Sequence, residues 1–550
     1  MRIEGCEAGL LRALAAMPFL NRLEMVDVTG WSRGAVYEAV ERLETGGLCA
    51  SVLHATELQP RTQRFHLTAE GLRRLACEEG MSLGELLRER PVSAQWRRSL
   101  MERLDALASV YRIASTVSRL AFPMRFRWYR AAPLDAAMAL PGGRTVGIVR
   151  QGATADRSGF AKRLWRLRAG PVPGLVLILM ADDVRLRHAR RALSTTEVPA
   201  LFALEREAAP ADPGDRIWSP SRVSASIDLR DALDRAAPGG GLPQETEPER
   251  ADVPADLAFH GRGWESSDQM LPFLLKPAEK RALDLIADWP WVSLRALAGL
   301  MGVSPQRVSQ SVNPLEGFGL VARPHGAGCR LAPTDRGLAL LARRDRTSVA
   351  MAKRRWSIAL GDAKAPFEWR NVTGGRSRQL LRNIEHTEAV HGFLAALTTQ
   401  APLLGWEVVQ LDPPRRASRH FRHDGGMRSV NPDAFGILRK DDARWPFFLE
   451  WERRAVRPST MSDRLAPYLR YYSSQRPIDD HGARPAVLIV FDDEIAHTHF
   501  LRVAREEMRA EQLALPLWVS HRAAVDALGP LGHAWRSPSD WEAPQAMPPR

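Results

Sequence analysis

Cysteine is scarce in this chain of 550 residues. Its four cysteines, Cys6, Cys49, Cys77 and Cys329, are scattered and form no C-x-x-C pair. A disulfide framework needs a set of paired cysteines in a small domain, and a cysteine zinc site needs closely spaced ones. The sequence therefore gives no sign of a disulfide-rich secreted domain or of a cysteine zinc site.

Long apolar runs are missing as well. No stretch approaches the roughly 18 to 20 apolar residues of a membrane-spanning helix. The N-terminus also lacks the charged-then-apolar layout of a secretion signal. We therefore expect a cytoplasmic bacterial protein with no membrane partner.

Lysine is rare, although the chain is basic. Only six of the 77 basic residues are lysine, while the formal net charge is +13 and the pI about 10.2. A basic chain favours a polyanionic partner, and nucleic acid is the usual one. An excess of arginine also fits a GC-rich genome, so charge alone does not decide the partner.

The chain contains an internal repeat. Residues 31–52 (WSRGAVYEAVERLETGGLCASV) match residues 303–324 (VSPQRVSQSVNPLEGFGLVARP) at a constant offset of 272. Each copy reads as helix, helix, turn, helix, two strands and helix, with a serine placed to cap the third helix. This order predicts a winged helix-turn-helix, present twice.

The third helix of such a module lies in the major groove, where its outward side chains meet phosphates and base edges. The predicted DNA-contacting residues are Arg33 and Tyr37 in the first copy and Gln306, Arg307, Gln310 and Asn313 in the second. The second set suits base reading better, because Gln and Asn pair bidentately with adenine. Protein contacts are the alternative role for either helix.

Each module is followed by the order helix, strand, strand, helix, strand, helix. Such an order describes a compact α/β domain with a mixed sheet, so the predicted fold class is a multidomain α+β and α/β chain. The predicted divisions are 1–90 (winged helix 1), 91–235 (first α/β domain), 236–270 (linker), 271–350 (winged helix 2) and 351–540 (second α/β domain).

The second α/β domain carries three acidic residues on two predicted neighbouring strands. Asp433 begins one strand, and Glu450 and Glu452 follow on the next, where positions i and i+2 share a face. Three converging carboxylates repel one another unless a cation neutralises them, and their oxygens suit Mg²⁺ or Mn²⁺. The alternative is an edge strand protected by surface charge.

This arrangement resembles the PD-(D/E)xK nuclease superfamily. Pro432 and Asp433 match its "PD", and "EWE" (450–452) stands where E-x-K is expected, so Glu452 replaces the usual lysine. The resemblance implies that Asp433, Glu450 and Glu452 hold the metal and are catalytic, with Lys440 as a candidate substitute for the missing lysine. Each α/β domain would then be PD-(D/E)xK-like.

The whole unit looks like the replication-relaxation family of plasmids and mobile elements. The strand "FFLEWERR" (447–454), the helix "RLAPYLRYY" (464–472) and a helix with His386 before the sheet carry this resemblance. It covers about 276–537 well and 1–225 as a diverged copy. It implies a role in DNA replication, relaxation or transfer.

The first copy lacks the acidic set. Asp135 remains in "PLD", but a simple alignment puts Arg150 and Gly152 where Glu450 and Glu452 stand. We therefore expect a degenerate domain kept for scaffolding, pseudo-dimer formation or DNA grip. An arginine-rich segment before Asp433 is expected to hold the phosphate backbone. Its candidate DNA-binding residues are Arg415, Arg416, Arg419 and Arg422.

The sequence therefore predicts a protein that binds double-stranded DNA and nicks or cleaves it with Mg²⁺ or Mn²⁺. A homodimer or other proteins of the mobile element are further expected partners. The alternative function is a non-catalytic winged-helix transcriptional regulator or replication initiator. A tyrosine relaxase with Tyr468, Tyr471 or Tyr472 as nucleophile and His497 and His499 as metal ligands fits less well, because threonine separates the two histidines.

Overall fold

The computed structural model describes residues 5–131, 133–155, 157–222, 225–244, 251–257, 267–324, 328–362, 364–453, 458–540 and 542–548. They form a mixed α and β chain with several sheets, which confirms the fold class at that level. The chain divides into two compact units. The first contains Met1–Lys280 and Ala339–Val349, and the second contains Arg281–Leu338 and Ala350–Arg550.

The first unit begins with helices and a hairpin. These elements are α1 (Cys6–Ala16), α2 (Arg22–Thr29), α3 (Arg33–Thr45), β1 (Cys49–His54), β2 (Thr62–Leu67), α4 (Ala69–Glu79), α5 (Leu83–Glu89), α6 (Ala94–Glu102) and α7 (Leu104–Leu120). The Ser32 side chain accepts a hydrogen bond from the Ala35 amide and caps α3. Val36, Val40 and Leu43 fall on one face of α3 and are buried.

A six-stranded sheet follows in the same unit. Its elements are β3 (Arg125–Trp128), β4 (Ala136–Ala139), β5 (Thr145–Arg150), α8 (Arg157–Ala169), β6 (Leu175–Met180), α9 (Asp183–Leu193), β7 (Ala200–Leu204), α10 (Glu205–Ala208), β8 (Ser219–Pro220) and α11 (Leu229–Asp234), with α12 (Leu271–Leu274) further on. The strand order is β3-β4-β5-β6-β7-β8. Residues 251–257, predicted as linker, lie against this unit, where the Asp252 carbonyl accepts a hydrogen bond from the Ala94 amide.

The second unit repeats the helix and hairpin order. Its elements are α13 (Pro277–Asp288), β9 (Val292–Ser293), α14 (Leu294–Met301), α15 (Pro305–Gly317), β10 (Val321–Ala322), β11 (Arg330–Pro333), α16 (Asp335–Arg344) and α17 (Val349–Trp356). Ser304 caps α15 as Ser32 caps α3. Gly47 and Gly319 both adopt positive φ, at 69° and 63°, just before a strand.

A glycine near the start of α4 and of α16 explains another shared motif. A Cβ atom at Gly71 would lie 1.9 Å from the Leu48 carbonyl oxygen, and one at Gly337 would lie 2.2 Å from that of Leu320. Because glycine has no Cβ atom, each helix packs against the backbone before the strand more closely than any other residue type at this position would allow. The repeated Thr-x-x-Gly pattern of the sequence follows from this packing.

The second sheet belongs to the second unit. Its elements are α18 (Gly375–Arg382), α19 (Ile384–Leu403), β12 (Glu407–Asp412), α20 (Pro414–Ala417), β13 (Arg419–His423), β14 (Gly426–Val430), β15 (Ala434–Lys440), β16 (Ala443–Glu452), α21 (Pro458–Tyr472), α22 (Arg476–His481), β17 (Ala486–Phe491), α23 (Glu494–Ala510), β18 (Leu517–His521) and α24 (Arg522–Leu528). The strand order is β12-β15-β16-β17-β18, and β13 and β14 form a separate two-stranded ribbon.

The first five strands of the first sheet share the topology of the second sheet. In each, the first three strands are antiparallel neighbours and the next two pairings are parallel. Parallel neighbours need a crossover, and helices α8 and α9 in one sheet and α21 and α23 in the other provide it. The repeat predicted from the sequence therefore extends to strand order and direction. Within the described residues, no helix is both long enough and apolar enough to cross a membrane.

Candidate functional site

The three acidic residues predicted to form the site, Asp433, Glu450 and Glu452, meet where β15 and β16 pair. The Asp433 amide donates to the Leu449 carbonyl over 2.9 Å, and its Oδ2 accepts from the Trp451 amide over 2.8 Å. Glu450 and Glu452 occupy alternate positions of β16 and therefore share one face of the strand. The hairpin predicted from the sequence thus brings Asp433 beside both glutamates.

Each carboxylate also has a side-chain partner from a helix. His386 Nε2, on α19, lies 2.9 Å from Asp433 Oδ1. The Tyr468 hydroxyl, on α21, donates to Glu450 Oε1 over 2.6 Å, and Arg464 Nη1, one turn earlier, lies 2.5 Å from Glu452 Oε1. Arg464 and Tyr468 are spaced i, i+4 and so reach the two glutamates from one helix face.

Burial and mutual repulsion raise the affinity of this cluster for protons. Burial raises the pKa of Glu450 well above its usual value, and the charges of Asp433 and Glu452 raise it further. Burial likewise raises the pKa of Glu452, although Arg464 opposes the shift. Burial lowers the pKa of His386, but the hydrogen bond and charge of Asp433 outweigh it and leave this pKa raised.

The donor set suits a divalent cation by type. Carboxylate oxygens are the ligands that Mg²⁺ and Mn²⁺ prefer, and a cation would relieve the repulsion that raises the pKa of Glu450. Among the described residues, no three His, Cys, Asp or Glu side chains are grouped as ready metal ligands. The carboxylates are instead turned toward His386, Tyr468 and Arg464.

No protein-family model, curated protein or solved structure matches the chain. The chemistry of the site therefore rests on its own geometry.

Lys440 does not reach this site. It ends β15, at the opposite end of the strand from Asp433, and a strand rises about 3.3 Å per residue, so roughly 20 Å separates the two backbones. Its Nζ donates to the Leu404 carbonyl over 3.1 Å and lies above the Trp406 ring. At this position Lys440 cannot replace the lysine that is missing from the E-x-K pattern, so that expectation is wrong. The cation next to the carboxylates is Arg464.

The equivalent place in the first unit has one carboxylate. Asp135 occupies the position of Asp433, since its amide donates to the Ile148 carbonyl and its Oδ2 accepts from the Arg150 amide. This pairing puts Val149 and Gln151, rather than Arg150 and Gly152, at the positions of Glu450 and Glu452. The simple alignment was wrong by one residue.

Arginines neutralise the acids around Asp135. Its carboxylate lies 2.5 Å from Arg163 and 2.7 Å from Arg346, while Arg150 lies 2.7 Å from Glu205 and 3.1 Å from Asp345. Although burial opposes them, these cations hold the pKa of Asp135 well below its usual value. The first unit therefore lacks the three-acid set, as expected, and has a buried ion-pair network at the equivalent place.

Helix α15 presents a polar outward face. Val308, Val312 and Leu315 are buried. The four residues predicted to contact DNA, Gln306, Arg307, Gln310 and Asn313, are all exposed. In α3, Arg33 is exposed and Tyr37 is half-buried, with the guanidinium groups of Arg22 and Arg33 each 5.2 Å from the tyrosine ring centre. The outward face predicted for α15 is confirmed. On α3, the Tyr37 ring is partly covered by Arg22 of α2 and by Arg33.

The arginine-rich segment before Asp433 is divided between interior and surface. Arg415 and Arg416 both pair with Asp288, at 2.6 and 2.7 Å. Arg419 is 1% exposed, donates to the carbonyls of residues 416–418 and lies over the Phe435 and Phe448 rings. This burial corrects the expectation that Arg419 contacts DNA. Arg422 remains exposed.

The features of a tyrosine relaxase are not assembled here. Tyr468 is 3% exposed, and its hydroxyl is engaged with Glu450. His497 lies within α23, is buried, and has a pKa lowered by burial to about 4.

Arg464 and Tyr468 contact the acidic site but were not predicted from the sequence to belong to it. Their i, i+4 spacing in the helix after the acidic strand was the available signal.

Proposed function

We propose that the protein binds double-stranded DNA through two winged helix-turn-helix modules and cleaves one of its strands at Asp433, Glu450 and Glu452. The convergence of these three acids, with the pKa of Glu450 raised by desolvation, is the observation that carries the proposal. The exposed Gln306, Gln310 and Asn313 side chains support base contacts by α15. On the sequence resemblance, cleavage would serve replication, relaxation or transfer of a plasmid or mobile element.

A bound Mg²⁺ or Mn²⁺, held by Asp433, Glu450 and Glu452, would supply an activated water and neutralise charge on the scissile phosphate. Hydrolysis forms a bond from the water oxygen to phosphorus and breaks one backbone P–O bond. His386 and Tyr468 hold Asp433 and Glu450 in place, respectively. Arg464, with 54% of its side chain exposed, can bind the phosphate in the role usually given to lysine.

The test is conversion of supercoiled plasmid to open circles in Mg²⁺ or Mn²⁺. We expect wild type to nick, the Glu450→Gln/Glu452→Gln variant to lose nicking but keep DNA binding, and Glu407→Gln to behave as wild type. Glu407 is a matched control because it lies on the neighbouring β12 and is 59% exposed. Wild type that binds the DNA of its own element without ever nicking it would refute the cleavage proposal.

A non-catalytic regulator or replication initiator is the second candidate. It is favoured by the fact that all three carboxylates already have partners within the protein. Calorimetric titration with Mn²⁺ separates the two functions. Binding that the Glu450→Gln/Glu452→Gln variant loses supports cleavage, and no binding to wild type supports the regulator.

A further inference from the structure

The second sheet carries an inserted ribbon that the first sheet lacks. Residues 129–135 connect β3 to β4, whereas residues 413–433 connect the equivalent β12 to β15 and include strands β13 and β14. The ribbon is closed by Asp424 and Gly425, whose φ angles of 48° and 74° are those of a tight type I′ hairpin turn. The insertion thus forms a short, well-defined arm just before Asp433.

The inner face of this arm is fixed beside the acidic site. Arg419, Phe421 and Val430 are buried, and the Arg419 guanidinium lies 4.8 Å from the Phe435 ring centre. Phe421 contacts the Tyr471 ring, with centres 5.3 Å apart, on the same helix that holds Glu450 through Tyr468. The base of the ribbon therefore shares its supports with the carboxylates.

The outer face is open and basic. Arg422 and Met427 lie directly opposite each other, so their side chains leave the same face. Met427 is 66% exposed, and the Arg422 side chain beside it is exposed without an ion-pair or hydrogen-bond partner among the described residues. Arg428 lies opposite Phe421 and therefore leaves the other face, where its side chain is also exposed without such a partner among the described residues. An exposed methionine with an unpaired arginine on each face of the ribbon has no role in the folded core.

The exposed face leads directly to the candidate catalytic carboxylate. Met427, Ser429, Asn431 and Asp433 alternate along the chain, and Asn431 Nδ2 donates to Ser429 Oγ over 3.1 Å. A duplex lying along the ribbon would therefore reach the acidic site. Two-stranded ribbons fit DNA grooves, with arginines on phosphates and an apolar side chain against the bases.

We infer that the β13–β14 ribbon is a DNA-gripping arm that inserts Met427 into a groove of the duplex and holds phosphates on either side with Arg422 and Arg428, which leave opposite faces of the ribbon. This inference rests on the proposed DNA function. It adds a contact that neither winged helix supplies and that only the second α/β domain has.

The test measures binding of the full-length protein to a labelled duplex from its own element at several salt concentrations. Each phosphate contact contributes about 0.9 to the slope of log K against log salt. For Arg422→Ala/Arg428→Ala we expect that slope to fall by about 2, while the charge-preserving Arg422→Lys/Arg428→Lys variant keeps it. The matched control is Arg502→Ala/Arg509→Ala, which removes two exposed arginines of α23.

The methionine is tested separately by Met427→Ser, with Ile495→Ser as control because Ile495 is 84% exposed. We expect weaker binding for Met427→Ser alone. An unchanged slope for the Arg422→Ala/Arg428→Ala variant, with wild type still binding and nicking, would overturn the ribbon inference only. Wild type that fails to bind duplex DNA would overturn the proposed function and, with it, the ribbon.

Discussion

Glu450 is partly buried in the candidate site, and its hydrogen bond from Tyr468 replaces contact with water. A buried carboxylate next to two other acids is costly unless it is protonated, hydrogen-bonded or bound to a cation. Tyr468 therefore has a structural and a positioning role in one contact.

Replacing Tyr468 with phenylalanine should expose this dependence. The variant leaves a buried Glu450 oxygen without its donor, so we expect the free energy of unfolding to fall by about 1–3 kcal/mol. Urea denaturation measures the change. Tyr37→Phe is the control, since the Tyr37 hydroxyl makes no hydrogen bond among the described residues. Equal stability of the two variants would contradict the assigned role of Tyr468.

The sequence predicted the positions of some residues of the candidate site but not of others. Asp433, Glu450 and Glu452 could be grouped in advance, because strand periodicity and a short turn are local properties. The burial of Arg419 and the reach of Lys440 could not, because both depend on which distant rings and strands surround the side chain. Arg464 and Tyr468 needed the packing of α21 on β16 to be assigned.

Among the secondary-structure elements, α4 is placed by a close backbone approach at Gly71. We expect Gly71→Ala to destabilise the protein by about 1–3 kcal/mol, because its Cβ would overlap the Leu48 carbonyl oxygen. Gly34→Ala should instead stabilise it by up to about 1 kcal/mol, since Gly34 lies inside α3 with open space around its Cβ position. Thermal unfolding of both variants checks the opposite signs, and a stabilised Gly71→Ala would show that α4 can move aside.

The segment after α16 stabilises the acid-poor site of the first unit. Asp345 has a fully buried side chain paired with Arg150 and Arg344. We expect Asp345→Ala to cost about 3–5 kcal/mol, because it leaves Arg150 with a buried charge that is only partly compensated. Asp234→Ala, at an exposed position of α11, is the control. Similar urea midpoints for the two variants would rule out a stabilising network.

The strand register of the first sheet could not be predicted from the sequence repeat. The repeat is clear from residues 31–52 and 303–324, but loops of different length separate these modules from the sheets. A one-residue error then exchanges the two faces of a strand. Only the pairing of Ala136 with Ile148 shows that Val149 and Gln151 take the positions of the glutamates.

Over the whole molecule, buried neutral histidines predict sensitivity to mild acid. Among the described residues, burial lowers the pKa of four histidines, to about 4 for His54, His66 and His497 and about 3 for His391. Each is below the unfolded value of about 6.5. The unfolded chain therefore binds protons first as pH falls below about 6.5, and stability declines until the folded values are reached.

The slope of this decline can be tested at His66. Its ring packs against Phe19, with centres 5.4 Å apart, so His66→Phe keeps an aromatic ring in place. We expect the variant to reduce the loss of stability between pH 6 and pH 4.5 by about 1.4 kcal/mol per pH unit. Unfolding measured across this range gives the slope, and identical slopes for variant and wild type would mean that His66 is protonated in the folded protein.

Residues 339–349 follow most of the second helix module in the chain but belong to the first unit. They carry Asp345 and Arg346, the partners of Arg150 and Asp135. A gene divided at the linker would therefore encode a first product in which Arg150 and Asp135 have each lost one of their two counterions. Recombination that separates the two copies at the linker would therefore remove these ion pairs from the first copy.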